Sequence, residues 1–334
     1  MKGRILLAHG GGGRLTRELV KSLFVPPLTN PYLVEMSDAA VLPAPTGPLA
    51  FTTDAFVVDP PIFPGGDLGY LAVCGTVNDL AMVGARPLAL SWALILEEGV
   101  EEEFLATITA GAARACQEVG VPLVAGDTKV VPRGKGDRAF VTTAGVGVVE
   151  GFPLSDARVA AGDAVLVSGP IGDHGATVLA ARHGLGGELV SDVAPLWPVV
   201  EELLAAGVEV HALHDPTRGG VATVCYEVAE RTGLRIVLEE PAVPVRPAVR
   251  AVMEVLGLDP LYVACEGRFL AFLPEEEVEK ALAVLRRHPL GRQAQRIGRV
   301  TVREAGAAPL VLRTAFGTLR PLDLLSGAEL PRIC

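Results

Sequence analysis

The chain has 334 residues, of which 29 are Lys or Arg and 39 are Asp or Glu, so its formal net charge is −10. Half of the residues are hydrophobic, and the length suffices for about two domains of ~150 residues with a large core. Clustered Lys and Arg bind phosphate backbones, so the acidic balance argues against a nucleic-acid partner. No apolar run reaches the ~18 residues of a membrane-spanning helix or forms a secretory signal, so we expect a cytoplasmic protein without a membrane partner.

The first half of the sequence alternates short apolar runs with helical periodicity, which is typical of the α/β or α+β class. A strand is predicted near residues 4–8, before a glycine-rich turn and a helix near 15–24. The elements predicted next are a strand pair across 49–58, a buried helix at 68–83, a strand at 88–96, a helix at 101–119 that ends at Gly120, and strands at 123–125 and 139–149.

The second half repeats this alternation after a polar, turn-rich segment at residues 151–162, so we place a domain boundary near residue 155. Helices are predicted near 174–182, 194–206, 219–231, 247–256 and 275–287, and strands near 164–168, 235–238, 269–273 and 296–302. The periodicity decays after Leu312. The expected organisation is therefore an N-terminal domain over 1–155, a C-terminal domain over 156–321 and a flexible tail over 322–334.

The glycine-rich turn from His9 to Arg14 is the first candidate binding segment. Glycines such as Gly11 and Gly12 allow positive φ and close approach of backbone N–H groups to an anion, and the helix that follows adds a favourable dipole. The run matches neither the P-loop nor the dinucleotide-binding pattern. It therefore indicates either a phosphate-binding turn or a plain tight turn.

Several carboxylates stand in turn-like settings or interrupt apolar runs. They are Asp54, Asp67, Asp79, Asp127 and Asp215. Asn78 and Asp79 adjoin inside an otherwise apolar helix, where a carboxylate is costly unless it is paired or binds a cation. Carboxylate oxygens suit Mg²⁺, which holds nucleotide phosphates, although each Asp alone is equally typical of a helix cap or a turn. Lys129, after a Gly-Asp-Thr turn, is placed to meet a phosphate.

Glu266 and Cys334 are the remaining candidates for chemistry. Glu266 lies between strand-like runs, so partial burial should raise the pKa of its carboxyl towards the range of a general base; an ion pair with Arg268 is the structural alternative. Cys334 ends the predicted tail, where an exposed thiol is prone to oxidation. It indicates either a mobile arm that carries a group or an accidental cysteine. The other cysteines are widely spaced and are expected to be reduced.

Eight short segments, spread along the chain, form a pattern when they are read together. They are Phe51-Thr-Thr-Asp54, Phe63-Pro-Gly-Gly-Asp67-Leu-Gly69, Cys74-Gly-Thr-Val-Asn78-Asp79-Leu-Ala-Met82, Ala125-Gly-Asp127-Thr-Lys129, Gly172-Asp-His-Gly175, His214-Asp-Pro-Thr-Arg-Gly-Gly220, Ala264-Cys-Glu-Gly-Arg-Phe269 and Pro331-Arg-Ile-Cys334. The pattern strongly resembles the HypE family of hydrogenase maturation proteins, and the likeness extends from His9 to the last residue. The helix with Asn78 and Asp79, the His-Asp-Pro-Thr-Arg-Gly-Gly turn and the terminal cysteine are its most specific parts.

The resemblance implies a two-domain fold of the aminoimidazole ribonucleotide synthetase-like (PurM-like) type. In that fold the N-terminal domains pair their sheets across a homodimer, and ATP with Mg²⁺ lies in the cleft. The resemblance also implies that a carbamoyltransferase partner loads Cys334 with a carbamoyl group, which the protein dehydrates with ATP to a thiocyanate. The cyano group would then pass through a scaffold complex to the iron of the [NiFe]-hydrogenase active site.

The same resemblance implies roles for the candidate residues. By analogy with related enzymes, Asp54, Asp79 and Asp215 would hold Mg²⁺. The nucleotide would be bound near Asp67, Asn78, Asp127 and the turn that contains His9, Gly11 and Gly12. Lys129 would balance the charge on the transferring phosphoryl group, and Glu266 would be the base.

Three other functions compete with this interpretation of the sequence. A selenophosphate synthetase would carry a reactive Cys or selenocysteine in the N-terminal glycine-rich segment, which here holds His9 and glycines. An aminoimidazole ribonucleotide synthetase has no use for a terminal cysteine. A non-catalytic carrier that binds nucleotide as a switch and presents a modified Cys334 stays open.

Overall fold

The computed structural model describes residues 3–151, 154–185, 187–325 and 332–334. Its helices are α1 (Arg14–Leu19), α2 (Val25–Leu28), α3 (Pro31–Glu35), α4 (Leu68–Met82), α5 (Glu102–Val119), α6 (Asp173–Arg182), α7 (Trp197–Ala205), α8 (Gly220–Thr232), α9 (Pro247–Leu256) and α10 (Val278–Leu285). Its strands are β1 (Leu49–Phe56), β2 (Ile62–Phe63), β3 (Gly66–Asp67), β4 (Ala85–Glu97), β5 (Leu123–Val131), β6 (Ala139–Val149), β7 (Ala164–Val167), β8 (Ala212–His214), β9 (Arg235–Glu239), β10 (Leu270–Leu273), β11 (Gln295–Thr301), β12 (Leu310–Arg313) and β13 (Leu319–Pro321). Among these residues, no helix combines the length and the apolar character needed to cross a membrane.

The first half of the chain forms a mixed sheet in the strand order β1-β6-β4-β5. β6 runs antiparallel to β1 and β4, whereas β4 and β5 are parallel and are joined by α5 as a crossover. Side chains alternate between the faces of the sheet, so one face packs on α4 while the other leaves apolar residues exposed. On that outer face Leu49, Phe51 and Ile95 are exposed by 62%, 70% and 44%.

Helix α4 is the buried centre of this half, and all of its residues except Asp79 are buried. Asp67 caps its first turn, because one carboxylate oxygen accepts the backbone N–H groups of Gly69 (2.9 Å) and Tyr70 (3.0 Å). A Cβ at Gly69 would overlap the carbonyl of Ile108 on α5, and one at Gly111 would overlap the Asp67 carboxylate. Two glycines therefore let the helices approach closely enough to enclose the cap.

The second half forms a larger sheet in the order β13-β12-β9-β11-β7-β10-β8, in which only the β9–β12 pair of the described strands is parallel. The central strands β7 and β10 are fully buried, because helices cover both faces. One face packs on α8, and the other packs on α6, α7 and α10. The core of this second face is continuous with the core around α4, so the two sheets share one apolar interior.

Most predicted elements are confirmed, but the strand pair predicted across residues 49–58 is a single strand, β1, which pairs with β6. The strand predicted at residues 4–8 is wrong: Arg4 makes an isolated bridge, and a 3₁₀ turn follows at Leu7–Gly10, where the Leu6 N–H donates to His9 Nδ1 (2.9 Å). β5 extends beyond the predicted 123–125 because it stays paired with β4 up to Val131. β13 lies where the periodicity had decayed.

The predicted domain limits at residues 155 and 321 stay predictions. The tail predicted over 322–334 falls partly on residues 326–331, which lie outside the described residues.

Asn78 links the two halves of the molecule. Its Oδ1 accepts the Leu196 N–H (2.7 Å), and its Nδ2 donates to the carbonyls of Ala194 (3.1 Å) and Glu266 (3.2 Å). The side chain is buried, and both of its polar atoms are paired. The Asn78 amide is therefore a structural bridge between α4 and the second half of the chain.

We predict that Asn78→Ala lowers the free energy of unfolding by about 2–4 kcal/mol, because it leaves one N–H and two carbonyl groups unpaired in the core. Urea denaturation followed by circular dichroism measures this loss. Thr107→Ala is the control. The Thr107 hydroxyl donates to the backbone of its own helix, α5, at the surface, so the free energy of unfolding should change by no more than about 0.5 kcal/mol. Equal stability of the two variants would contradict the bridging role.

Candidate active site

Three carboxylates from separate elements meet where the two halves of the chain join. The alternation of β1 turns Thr52 and Asp54 towards α4, where Thr52 Oγ1–H donates to Asp79 (2.6 Å). Burial, and then the charge on Asp79, raises the pKa of Asp54 to about 6. Burial, and then the charges on Asp79 and Asp54, raises the pKa of Asp215 to about 7. Asp79 thus raises the pKa of both neighbouring carboxyls, which shows acidic groups that lack enough positive charge around them.

Arg218 supplies positive charge to this cluster. It lowers the pKa of Asp54 and of Asp79, although burial outweighs it at both. Arg218 stands in the turn before α8, where Gly219 and Gly220 both have positive φ and a Cβ at Gly220 would overlap the Leu261 carbonyl. The sequence interpretation assigned no role to Arg218, although it stands in the His-Asp-Pro-Thr-Arg-Gly-Gly turn, one of the most specific motifs.

Glu266 lies next to the cluster and is held by its backbone. Its N–H donates to Asp192 Oδ1 (3.1 Å), and its carbonyl accepts from Asn78. The side chain is buried, and its Oε1 has no hydrogen-bond partner among the described residues. Burial, followed by the charges of Asp215 and Asp192, raises the pKa of Glu266 well above its usual value.

The structural alternative for Glu266, an ion pair with Arg268, is not formed. Arg268 donates to the carbonyls of Pro170 (3.1 Å) and Gly267 (3.0 Å) and lies 3.7 Å from Asp192. The Glu266 carboxyl is therefore left free to face the site.

The described end of the chain, Arg332 to Cys334, is docked beside this cluster. The Cys334 carbonyl accepts the Val57 N–H (3.1 Å), and the Arg332 carbonyl accepts the Asp59 N–H (3.1 Å). Burial, and then the charge on Glu266, raises the pKa of the Cys334 thiol to about 12, whereas Arg218 lowers it. The thiol therefore lies near Glu266 in its own chain and is neutral. The expectation of an exposed terminal cysteine is wrong, because backbone hydrogen bonds hold it half-buried.

Asp127 and Lys129 are not brought to the cluster within one chain. Both lie on β5, at the opposite edge of the sheet from β1, so three strand spacings, about 14 Å, separate them from Asp54. They are exposed on the outer face and pair with each other (Lys129 Nζ to Asp127 Oδ1, 2.8 Å). The sequence could not reveal this separation, because it does not state the order of strands in a sheet.

The glycine-rich turn also lies on the β5 side. A Cβ at Gly10 would overlap the backbone of Val130 on β5, while Gly11 and Gly12 are exposed. His9 is used locally, as the acceptor for the Leu6 N–H. The predicted nucleotide-binding residues thus form two groups in one chain, and the turn belongs with Asp127 and Lys129.

Asp67 and Asn78, which the resemblance placed near the nucleotide, have structural tasks. Asp67 caps α4 and Asn78 joins the two halves, so these side chains are occupied by backbone groups. Within the described ranges, no group of three or more His, Cys, Asp or Glu side chains is already spaced as a metal site. That holds for the three clustered carboxylates too.

Comparison with known proteins gives matches along nearly the whole chain. The family model described as AIR synthase related protein, N-terminal domain, matches residues 36–149, and the corresponding C-terminal domain model matches residues 160–310. Carbamoyl dehydratase HypE of Rhodobacter capsulatus is 48% identical over 336 residues, which cover 99% of this chain and 98% of that protein.

Solved structures agree with these matches. The crystal structure of hydrogenase maturation protein HypE in complex with ATP superposes with a TM-score of 0.94 at 48% identity and covers 98% of this chain and 99% of that one. The crystal structure of a HypE–HypF complex gives a TM-score of 0.80 at 43% identity, with coverage of 94% and 100%. The fold class expected from the sequence, a mixed α/β protein of the AIR synthase-related type, is confirmed.

We predict that ionisation of Asp215 destabilises the metal-free protein. Its pKa is raised from 3.8 to about 7 by folding, so its contribution to stability is complete below about pH 4 and is lost as the pH rises through 7. Relative to Asp215→Asn, which cannot ionise, the wild type should lose about 4 kcal/mol of unfolding free energy between pH 4 and pH 8. Urea denaturation in EDTA measures the difference.

The matched control for this prediction is Glu304→Gln, which neutralises an exposed carboxylate far from the cluster. Its stability should follow that of the wild type at both pH values. Parallel pH dependence of the wild type and Asp215→Asn would show that Asp215 carries no strained charge.

Proposed function

This chain belongs to the HypE family of carbamoyl dehydratases, which are hydrogenase maturation proteins, and on that premise we propose that it dehydrates a carbamoyl group carried on its own Cys334. The product would be a thiocyanate, from which the cyano ligand of the [NiFe]-hydrogenase iron is supplied. The observation that carries this proposal is the position of the Cys334 thiol beside Glu266, Arg218 and two of the clustered carboxylates.

The proposed reaction uses ATP to turn a poor leaving group into a good one. Transfer of the γ-phosphoryl group of ATP to the carbamoyl oxygen gives ADP and a bound phosphate ester. The C–O bond then breaks as the C≡N bond forms, so the carbamoyl oxygen departs in inorganic phosphate. Of the two nitrogen protons, one leaves with phosphate and one passes to solvent. The bond between Cys334 Sγ and carbon is kept throughout.

Glu266 is proposed as the group that accepts a nitrogen proton. It lies close enough to Cys334 for its charge to raise the pKa of the thiol, and its Oε1 is not used by the fold. An elevated pKa gives a carboxylate the proton affinity that a general base needs. Positive charge brought to Asp54 and Asp215 would relieve the repulsion that keeps Glu266 protonated, so that it ionises when the site is loaded.

We propose that Asp54, Asp79 and Asp215 hold Mg²⁺. The donor set fits, because all three offer hard carboxylate oxygens and each has a raised pKa that a cation would relieve. Mg²⁺ usually binds one or two carboxylates together with water and phosphate oxygens, which agrees with a cluster that is not closed before nucleotide binds. When bound, the ion would neutralise charge on the ATP phosphates. A relative solved with ATP supports nucleotide binding.

A homodimer is proposed for the outer face of the first sheet. That face exposes Leu49, Phe51 and Ile95 and also carries Asp127 and Lys129. Pairing two such faces would cover the apolar side chains. It would also allow Lys129 of one chain to approach the cluster of the other and balance phosphoryl charge, which it does not reach in its own chain. The glycine-rich turn would close on nucleotide from the same side.

Two protein partners follow from this chemistry. A carbamoyltransferase would load Cys334, which must leave its half-buried position to be reached; a relative solved as a HypE–HypF complex supports an external protein partner. A scaffold complex would take the cyano group onto iron: the bond between Cys334 Sγ and carbon breaks, the sulfur is left as a thiolate, and the reduced iron-bearing partner supplies the two electrons that turn the cyano group into a cyanide ligand. Both steps need the end of the chain to move out of the site.

We predict that Cys334 first gains a carbamoyl group and then loses one water from it only when Mg²⁺ and ATP are added. Mass spectrometry of the C-terminal peptide, after incubation with a carbamoyltransferase and carbamoyl phosphate, follows both changes. Cys334→Ser should gain no adduct, and EDTA should block the second change while sparing the first. An adduct that survives Mg-ATP unchanged would instead favour a non-catalytic carrier.

We predict that Glu266→Gln slows the loss of water by about 10²–10⁴-fold, because it removes the proton acceptor while keeping the size of the side chain. The carbamoyl adduct should still form at the wild-type rate. Single-turnover measurement of the same peptide tests this, with Glu254→Gln on the exposed face of α9 as the control expected to behave like the wild type. A wild-type dehydration rate in Glu266→Gln would remove this residue from proton transfer.

A further inference from the structure

His174 lies in the Gly172-Asp-His-Gly175 segment, to which neither the sequence nor the proposed reaction gives a task. It is the second residue of α6 and is fully buried. Its ring has two partners: Nδ1 lies 2.8 Å from Ser191 Oγ, and Nε2 lies 2.9 Å from the carbonyl oxygen of Ile333. The second contact joins the interior of the protein to the residue before Cys334.

The direction of these hydrogen bonds follows from their partners. A carbonyl oxygen can only accept, so His174 Nε2 must carry the proton. Ser191 Oγ already accepts the Val193 N–H (3.0 Å), which leaves its hydroxyl hydrogen free to donate to Nδ1. Burial lowers the pKa of His174 and keeps the ring neutral. Ser191 therefore fixes the tautomer that His174 needs in order to donate to the chain end.

The contact with Ile333 completes the docking of the chain end. The carbonyls of Arg332 and Cys334 accept N–H groups of Asp59 and Val57, with the two-residue spacing of antiparallel pairing. The carbonyl of Ile333, between them, is taken by His174 on the other side. Each of the last three carbonyls thus has a donor, and the chain end is held from two sides.

The ring of His174 is itself held in place. Phe63 packs edge-on against it with ring centroids 5.3 Å apart. The ring is fully buried while the chain end is docked, and the Ile333 carbonyl is the acceptor that its Nε2–H then has. The donor is therefore preorganised for one acceptor, the carbonyl next to the reacting cysteine.

We propose that His174 is a positioning residue, which holds the Cys334 sulfur at Glu266 by donating its Nε2–H to the Ile333 carbonyl. The proposal rests on the dehydration proposed above, because positioning matters only for a group carried on Cys334. His174 touches neither the sulfur nor the carbamoyl group. It should favour the dehydration step and should not be needed for the loading step, for which the chain end must be free.

The first test measures docking without any reaction. In the unloaded protein, Cys334 of His174→Leu should be alkylated by iodoacetamide about 10-fold faster than in the wild type at pH 8, because the released thiol regains its ordinary reactivity. The four other cysteines are buried, and peptide mass spectrometry resolves each site. His183→Leu, which changes an exposed histidine at the end of the same helix, is the control and should match the wild type.

The second test separates positioning from folding. His174→Leu should slow the loss of water from carbamoylated Cys334 by about 100-fold, the scale of a misplaced reacting group, without slowing carbamoylation, for which the chain end must leave the site. His174→Gln, which keeps a donor near the Nε2 position, should recover most of the rate. A merely structural role would not be rescued in this way, nor would it spare one step.

The outcomes are distinguishable from failure of the proposed function. Wild-type alkylation and dehydration rates in His174→Leu would overturn the positioning role. If the wild type itself forms no thiocyanate, the proposed function fails, and the alkylation rates still decide whether His174 holds the chain end. If His174→Leu does not fold, Ser191→Ala takes its place: faster alkylation supports the role, and an unchanged rate overturns it.

Discussion

The structure depends on a neighbouring pair of polar residues, the buried Asn78 and the half-buried Asp79, in a helix that is otherwise mainly apolar. Such a pair is tolerated only when each side chain has a partner or a task. Asn78 gives all of its hydrogen bonds to the second half of the chain, including the backbone of Glu266. Asp79 then faces Asp54 and Asp215. One helical turn thus fixes both how the halves meet and where the acidic cluster lies.

Charge is distributed in this site so that the resting state is under strain. Burial, and then the charge on Asp79, raises the pKa of both Asp54 and Asp215, and Glu266 and the Cys334 thiol are pushed towards their neutral forms. A fold that only needed stability would place apolar side chains there. Excess negative charge attracts cations. The repulsion between carboxylates that lowers the stability of the fold therefore favours the binding of a cation.

Much of this architecture could be predicted from the sequence. The helical periodicity of α4 and the alternating runs of the strands locate the elements, and motif resemblance groups Asp54, Asp79 and Asp215 correctly as neighbours. Strand order is not encoded locally, so the distance of Lys129 from Asp54 could not be foreseen. The docked chain end was missed for a different reason: many of its contacts use main-chain oxygens, which leave no residue pattern to detect.

The end of the chain is docked mainly through the main-chain oxygens of its last three residues. These hydrogen bonds are therefore independent of what the sulfur of Cys334 bears. The docking does depend on the register of the bound segment. Carbonyls alternate in direction along the bound segment, and a shift by a single residue would exchange the sides to which neighbouring groups point. A change at the sulfur would leave these hydrogen bonds in place, whereas a chain end longer or shorter by one residue would be bound out of register.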